Sequence, residues 1–133
     1  MLIMKSFALS ILILLCTSCG ESKPKLVKVT GKISFKSKPL TAGSIYFHPA
    51  STNSFTNDNP SSLLQVDGSF NMKTFPYGDG VSPGDYKITL APQLASRISL
   101  PYLSDPEKTN AFITVPNDGI ENFVLDIGNI KTK

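Results

Sequence analysis

The sequence predicts an all-β fold, an antiparallel sandwich of two facing sheets built from about seven short strands, after an N-terminal export segment. Three observations predict it. Apolar residues alternate with polar ones along several stretches, which is the period of a strand with one dry face. Gly, Pro, Asn, Asp and Ser punctuate the gaps between those stretches, and no run carries the 3.6-residue period of an amphipathic helix. Both cysteines, Cys16 and Cys19, precede the alternating region, so a disulfide framework, a thiolate zinc site and a cysteine nucleophile are excluded from the folded part.

The chain has 133 residues, which after the N-terminal segment leaves material for one domain. A domain of that size buries roughly two thirds of the surface its unfolded chain exposes, enough for a core without staples. Lys5 lies in the segment expected to be removed, so the balance falls from 13 to 12 basic side chains against 10 acidic ones, a net +2. That charge is too small and too scattered to recruit nucleic acid.

Residues 1–18 read as a signal peptide. Lys5 provides the basic start, and Phe7 to Leu15 is a nine-residue apolar run containing one serine. The run falls far short of the roughly 20 residues that span a bilayer as a helix. Thr17-Ser18-Cys19 resembles the small-residue ending of a bacterial lipobox, with Cys16 in the place that usually holds Leu. The resemblance implies that Cys19 is lipidated and becomes the first mature residue. Ordinary secretion with cleavage near Ser18 is the alternative. Residues 19–26 then form the lipidated cysteine and its tether. Six extended residues, 20–25, reach at most roughly 20 Å, so the domain stays beside its membrane. Lys23, Lys25 and Lys28 serve either solubility or contact with anionic head groups.

The folded domain is expected over residues 27–128. Val27, Val29, Ile33 and Phe35 alternate with Lys28, Thr30, Lys32, Ser34 and Lys36, and Gly31 sits in the apolar register, where glycine signals a bulge or a close backbone approach. Lys38 to Gly43 supplies turn chemistry before a second strand that points Ile45 and Phe47 inward. Residues 50–62 are polar and aperiodic, a surface loop. Its Asn57-Asp58-Asn59 lacks the spacing of a calcium site, and its Phe55 is either an anchor or an exposed contact. Asp67-Gly68 marks a hairpin whose arms would set Leu64 and Val66 on one face with Phe70 and Met72.

Residues 75–82 form a loop rich in breakers. Pro83-Gly84-Asp85 turns the chain into a strand with Tyr86, Ile88 and Leu90 on one side, and a buried Tyr86 phenol needs a backbone partner at the sandwich edge. Residues 91–111 show no clear element; either Arg97 to Leu100 is a short edge strand or the stretch is a functional loop. Tyr102 and Leu103 are expected to pin it to the core. Phe112 to Val115 and Glu121 to Ile127 close the fold, with Phe123, Leu125 and Ile127 on the dry side and Val124 and Asp126 opposite. The end of the chain, 129–133, reads as a polar tail.

Three motifs carry a resemblance. The pattern V-x-V-x-G-x-I-x-F-x-x-x-P-L-x-x-G-x-I-x-F-x-P over residues 27–49 resembles the opening of carboxypeptidase-regulatory-like domains, transthyretin-like sandwiches of small bacterial envelope lipoproteins. Asp67-Gly68-Ser69-Phe70 and Pro83-Gly84-Asp85-Tyr86-Lys87-Ile88 are similar to the family's D-G-x-F and P-G-x-Y-x-I steps, and Pro101-Tyr102 with Asp105-Pro106 matches it loosely. The resemblance implies an Ig-like, prealbumin-like sandwich in the cell envelope. It implies no ligand, because the family is functionally diverse.

The chemistry on offer is sparse. His48 is the one histidine, and alternation points it outward beside Tyr46. No G-x-S-x-G elbow accompanies it, one histidine is too few for an iron dioxygenase site, and no glycine-rich phosphate cradle opens a helix. No catalytic residue, metal or cofactor is therefore expected. The function indicated is a non-enzymatic, membrane-anchored envelope lipoprotein, its sandwich an interaction or structural module with an envelope protein or glycan as partner. A glycan- or peptide-binding module stacking its ligand on exposed Tyr46, Tyr77 and Tyr102, with His48 alongside, is the alternative. A hydrolase dependent on His48 is the third reading.

Overall fold

The computed structural model describes residues 23–130. The expected signal peptide, Cys16, Cys19, residues 20–22 of the expected tether and residues 131–133 lie outside the described residues. What is described is an all-β sandwich of two sheets. β1 (Val29–Phe35) reverses at Lys36 and Ser37, both at positive φ (49° and 64°), into β2 (Lys38–Pro39). Two such residues make the tight turn whose twist suits a hairpin. β3 (Ser44–Pro49), β4 (Ser61–Leu63), β5 (Ser69–Asn71), β6 (Lys73–Thr74), β7 (Gly78–Asp79) and β8 (Gly84–Leu90) follow. After a helical excursion, β9 (Ala111–Val115) and β10 (Ile120–Asp126) complete the strands of the described residues. One sheet sets β10 against one edge of β1, with β2 and β5 along the other; the second runs β7-β6-β4-β3-β8-β9.

The expected alternation puts side chains where it should. Val29 and Ile33 of the first sheet meet Ile45, Phe47, Tyr86, Ile88 and Leu90 of the second in one buried core, and the Phe47 and Tyr86 rings lie 5.7 Å apart. Burying a ring such as Phe47 contributes about 1.5–3 kcal/mol, so the two inward rows outweigh any single polar contact in the fold. Gly31 is both things a glycine in a strand can be. The β1–β10 register shifts between Val29 and Gly31, and a Cβ at Gly31 would run into the Phe123 carbonyl and within 2.7 Å of the Phe70 ring.

Four expectations are corrected. First, the sheets are not wholly antiparallel, because β10 lies parallel to β1. The chain leaves β9 in the second sheet, turns through Pro116–Gly119 and enters the first sheet with the Ile120 amide on the Lys28 carbonyl, so it travels the same way as β1. Second, the stretch after residue 91 holds two short helical elements. α1 (Pro92–Arg97) starts on a proline whose missing N–H costs nothing there, buries Leu94 and Ala95, and is followed by a 3-10 turn, Pro101–Ser104, with Leu103 buried and Tyr102 half-buried on the core. Third, of the residues around Asp67-Gly68 expected on one face, Leu64, Phe70 and Met72 enter the core but Val66 does not. Gln65 N–H reaches the Ser69 carbonyl, Leu64 turns inward and Val66 is 88% exposed, because β4 joins β3 while β5 joins β1. Fourth, the tail begins later than expected. Ile127–Asn129 form a 3-10 turn with Ile127 buried and the Asp126 carboxylate accepting from the Gly128 N–H.

Candidate functional site

Strand alternation places Tyr46 and His48 on the outer face of the second sheet, where Tyr46 is opposite Thr89 and His48 opposite Lys87. His48 is not simply an exposed strand residue. It is half-buried, its Nε2 shares a 2.7 Å hydrogen bond with Thr89 Oγ1, and Pro106 and Glu107, just past the 3-10 turn, wall a cleft beside it of about 540 Å³. Burial, and then the neighbouring Lys87 ammonium, hold the imidazole below its ordinary pKa of 6.5. The ring is thus a neutral hydrogen-bonding group at neutral pH. Its partner offers no chemistry to solvent, since Thr89 is only 3% exposed.

The other two tyrosines lie elsewhere. Tyr77 is half-buried in the turn between β6 and β7, its ring edge-on to Phe55 at 5.8 Å and 81°, so each anchors the other's loop. Tyr102 packs on the core from the 3-10 turn. Tyr46 and His48 therefore share a face, while Tyr77 and Tyr102 sit on separate elements. Tyr86 is buried, and its hydroxyl donates to the Ser82 carbonyl at 2.6 Å. Among the described residues, no group of three or more His, Cys, Asp or Glu could hold a metal ion, and no helix is long and apolar enough to cross a membrane.

A second cleft was not foreseen. Beyond the Gln65–Ser69 turn, β4 and β5 diverge into different sheets and leave an open cleft of about 510 Å³ between them. A ladder bond is replaced there by one side chain. Ser62 Oγ donates to the Leu63 carbonyl at 2.9 Å and accepts from the Asn71 N–H at 3.1 Å. Leu63 (71% exposed) and Phe75 (74% exposed) stand at the rim. The signal in the sequence was a cluster of small hydroxyl and amide residues on both sides of Asp67-Gly68, which reads as turn composition until the arms are known to part.

The entry of the chain is also defined. The Val27 and Val81 backbones exchange hydrogen bonds of 2.9 and 2.8 Å, and Lys23–Lys25 lie beside Ser82, Pro83 and Asn117. That is the end of the sandwich where β8 begins. α1 follows the opposite end of β8.

Fold and sites together define a two-sheet β-sandwich with partly covered polar clefts on its flanks. A scan against protein-family models, a search of curated proteins and a search of solved structures each find no match to this chain.

Proposed function

We propose that the protein is a non-enzymatic lipoprotein of the bacterial cell envelope, lipidated on Cys19, whose β-sandwich is an interaction or structural module held at a membrane surface. The family it resembles on residues 27–49, 67–70 and 83–88 is the carboxypeptidase-regulatory-like one. The observation that carries the reading is the position of the chain's entry. Lys23–Lys25 lie against the Pro83 and Asn117 end, and the Val27–Val81 bridge fixes the chain there. A lipid a few residues upstream would hold that end at the bilayer and turn the α1 end outward. Several acyl chains on one cysteine anchor stably where a single chain is marginal. The polar groups that could have served catalysis are engaged in the fold: His48 on Thr89, Tyr86 on Ser82, and Asp85 accepting from the Thr114 hydroxyl at 2.6 Å. The partner is an envelope protein or glycan, and the weak net charge speaks against nucleic acid.

Metabolic labelling with radioactive palmitate tests the anchor. The wild type takes up label and fractionates with membranes, whereas Cys19→Ala takes up none; equal labelling of the two rejects the assignment.

A further inference from the structure

We propose that the cleft between β4 and β5 is a binding site for a neutral oligosaccharide. Its lining narrows the chemistry. No carboxylate reaches it, so a cation would find no anionic ligand there, and its one charged side chain, Lys73, lies 3.7 Å from Asp79. Two of the backbone groups an added strand would pair with, the Asn71 N–H and the Leu63 carbonyl, are already taken by Ser62 Oγ. What remains is neutral. Ser61, Gln65, Ser69 and Asn71 bring hydroxyl and amide side chains, able to donate and to accept, to the same cleft.

Phe75 adds the apolar half. Its ring is 74% exposed and Leu63 beside the cleft is 71% exposed, a cost in water that a bound ligand would relieve. A pyranose has the matching form, with C–H groups on its flat faces and hydroxyls around its rim. One face can lie on the Phe75 ring while the rim reaches the serine, glutamine and asparagine groups. The volume of about 510 Å³ falls within the range of small-molecule sites. The site differs from a tyrosine platform: its ring is a phenylalanine and its polar groups flank Asp67-Gly68. It does not depend on lipidation at Cys19.

The test is isothermal titration calorimetry of the full-length protein in a sugar-free detergent, with cellotetraose and chitotetraose as probes. Saturable binding of at least one probe is expected, weakened about tenfold or more, or 1.4 kcal/mol, in both Phe75→Ala and Asn71→Ala. Phe112→Ala, an exposed ring at the far edge of the second sheet, should bind as the wild type does. Both test positions are exposed, and circular dichroism verifies that each variant is folded. Absence of saturable heat with both probes up to about 10 mM overturns the proposal, as does wild-type affinity in either cleft variant.

Discussion

The Tyr86 hydroxyl donates a 2.6 Å hydrogen bond to the carbonyl of Ser82, four residues upstream, with both residues buried. The bond closes the Pro83-Gly84 turn over the start of β8 and satisfies an acceptor that no water reaches. Tyr86→Phe keeps the ring on Phe47 and strands the carbonyl. The expected loss is about 1–3 kcal/mol, read as a lower urea midpoint with an unchanged slope. Burial also pushes the phenol up to about 12 from 10.0. The folded state then keeps a proton that the unfolded chain gives up, so stability is full below pH 10 and falls as the pH rises from 10 towards 12. Denaturation across that window should show the decline in the wild type and a smaller one in Tyr86→Phe.

Gly31→Ala should be among the most damaging single substitutions in the domain. The new methyl group meets the Phe123 backbone and the Phe70 ring, and backbone held in a ladder cannot step aside. Overpacking of this kind costs on the order of 3 kcal/mol. Gly128→Ala provides the contrast, since its Cβ would make only ordinary contacts, 3.5 Å to Asp126 and 3.6 Å to the Lys36 backbone. Its thermal midpoint should match the wild type, within about 0.5 kcal/mol.

Asp67 should titrate near pH 2. Hydrogen bonds from Ser69, one of them the 3.0 Å bond from its backbone N–H, favour the carboxylate and hold its pKa at about 2 rather than 3.8. Lys32, 3.4 Å away, adds to the effect. The stability this supplies is present above the unfolded value of 3.8 and is lost as the pH falls towards 2. Asp67→Asn should flatten the acid side of the stability profile over that window. A carboxyl midpoint near 4 by nuclear magnetic resonance would contradict the geometry of the turn.

His48 sets a different pH response. Its folded pKa lies below 6.5, chiefly through burial and then through Lys87, so on acidification the unfolded chain takes the proton first. The contribution of His48 to stability is therefore present above 6.5 and is lost as the pH drops through the folded value. Imidazole resonances should give a midpoint under 6.5. Lys87→Gln should move it up only part of the way, because desolvation, the larger cause, remains.

The parts of this fold that were legible in the sequence are those governed by neighbours along the chain. Alternation over Val29 to Phe35 fixed which side chains enter the core, and Pro83-Gly84-Asp85 announced the turn that Tyr86 locks. Gly31 was legible as a close approach because no other residue fits its site. The six residues of α1 were hidden: fewer than two turns show no period, and the helix is docked by Leu94 packing over Gly43, whose absent Cβ leaves room for it. The parting of β4 and β5 was equally invisible, for Asp67-Gly68 specifies a tight turn but not which sheet each arm will join.

By itself, then, the sequence determined the class of fold and the inward row of each long strand, since these follow from local periodicity and composition. Only the tertiary structure decided that β10 runs parallel to β1, that Tyr46, Tyr77 and Tyr102 do not form one platform, and that Phe75 overlooks a cleft lined by Ser61 and Asn71. Those facts depend on strand partners distant in the chain. Pairing between such strands is settled by how the whole core packs, not by the residues flanking each turn.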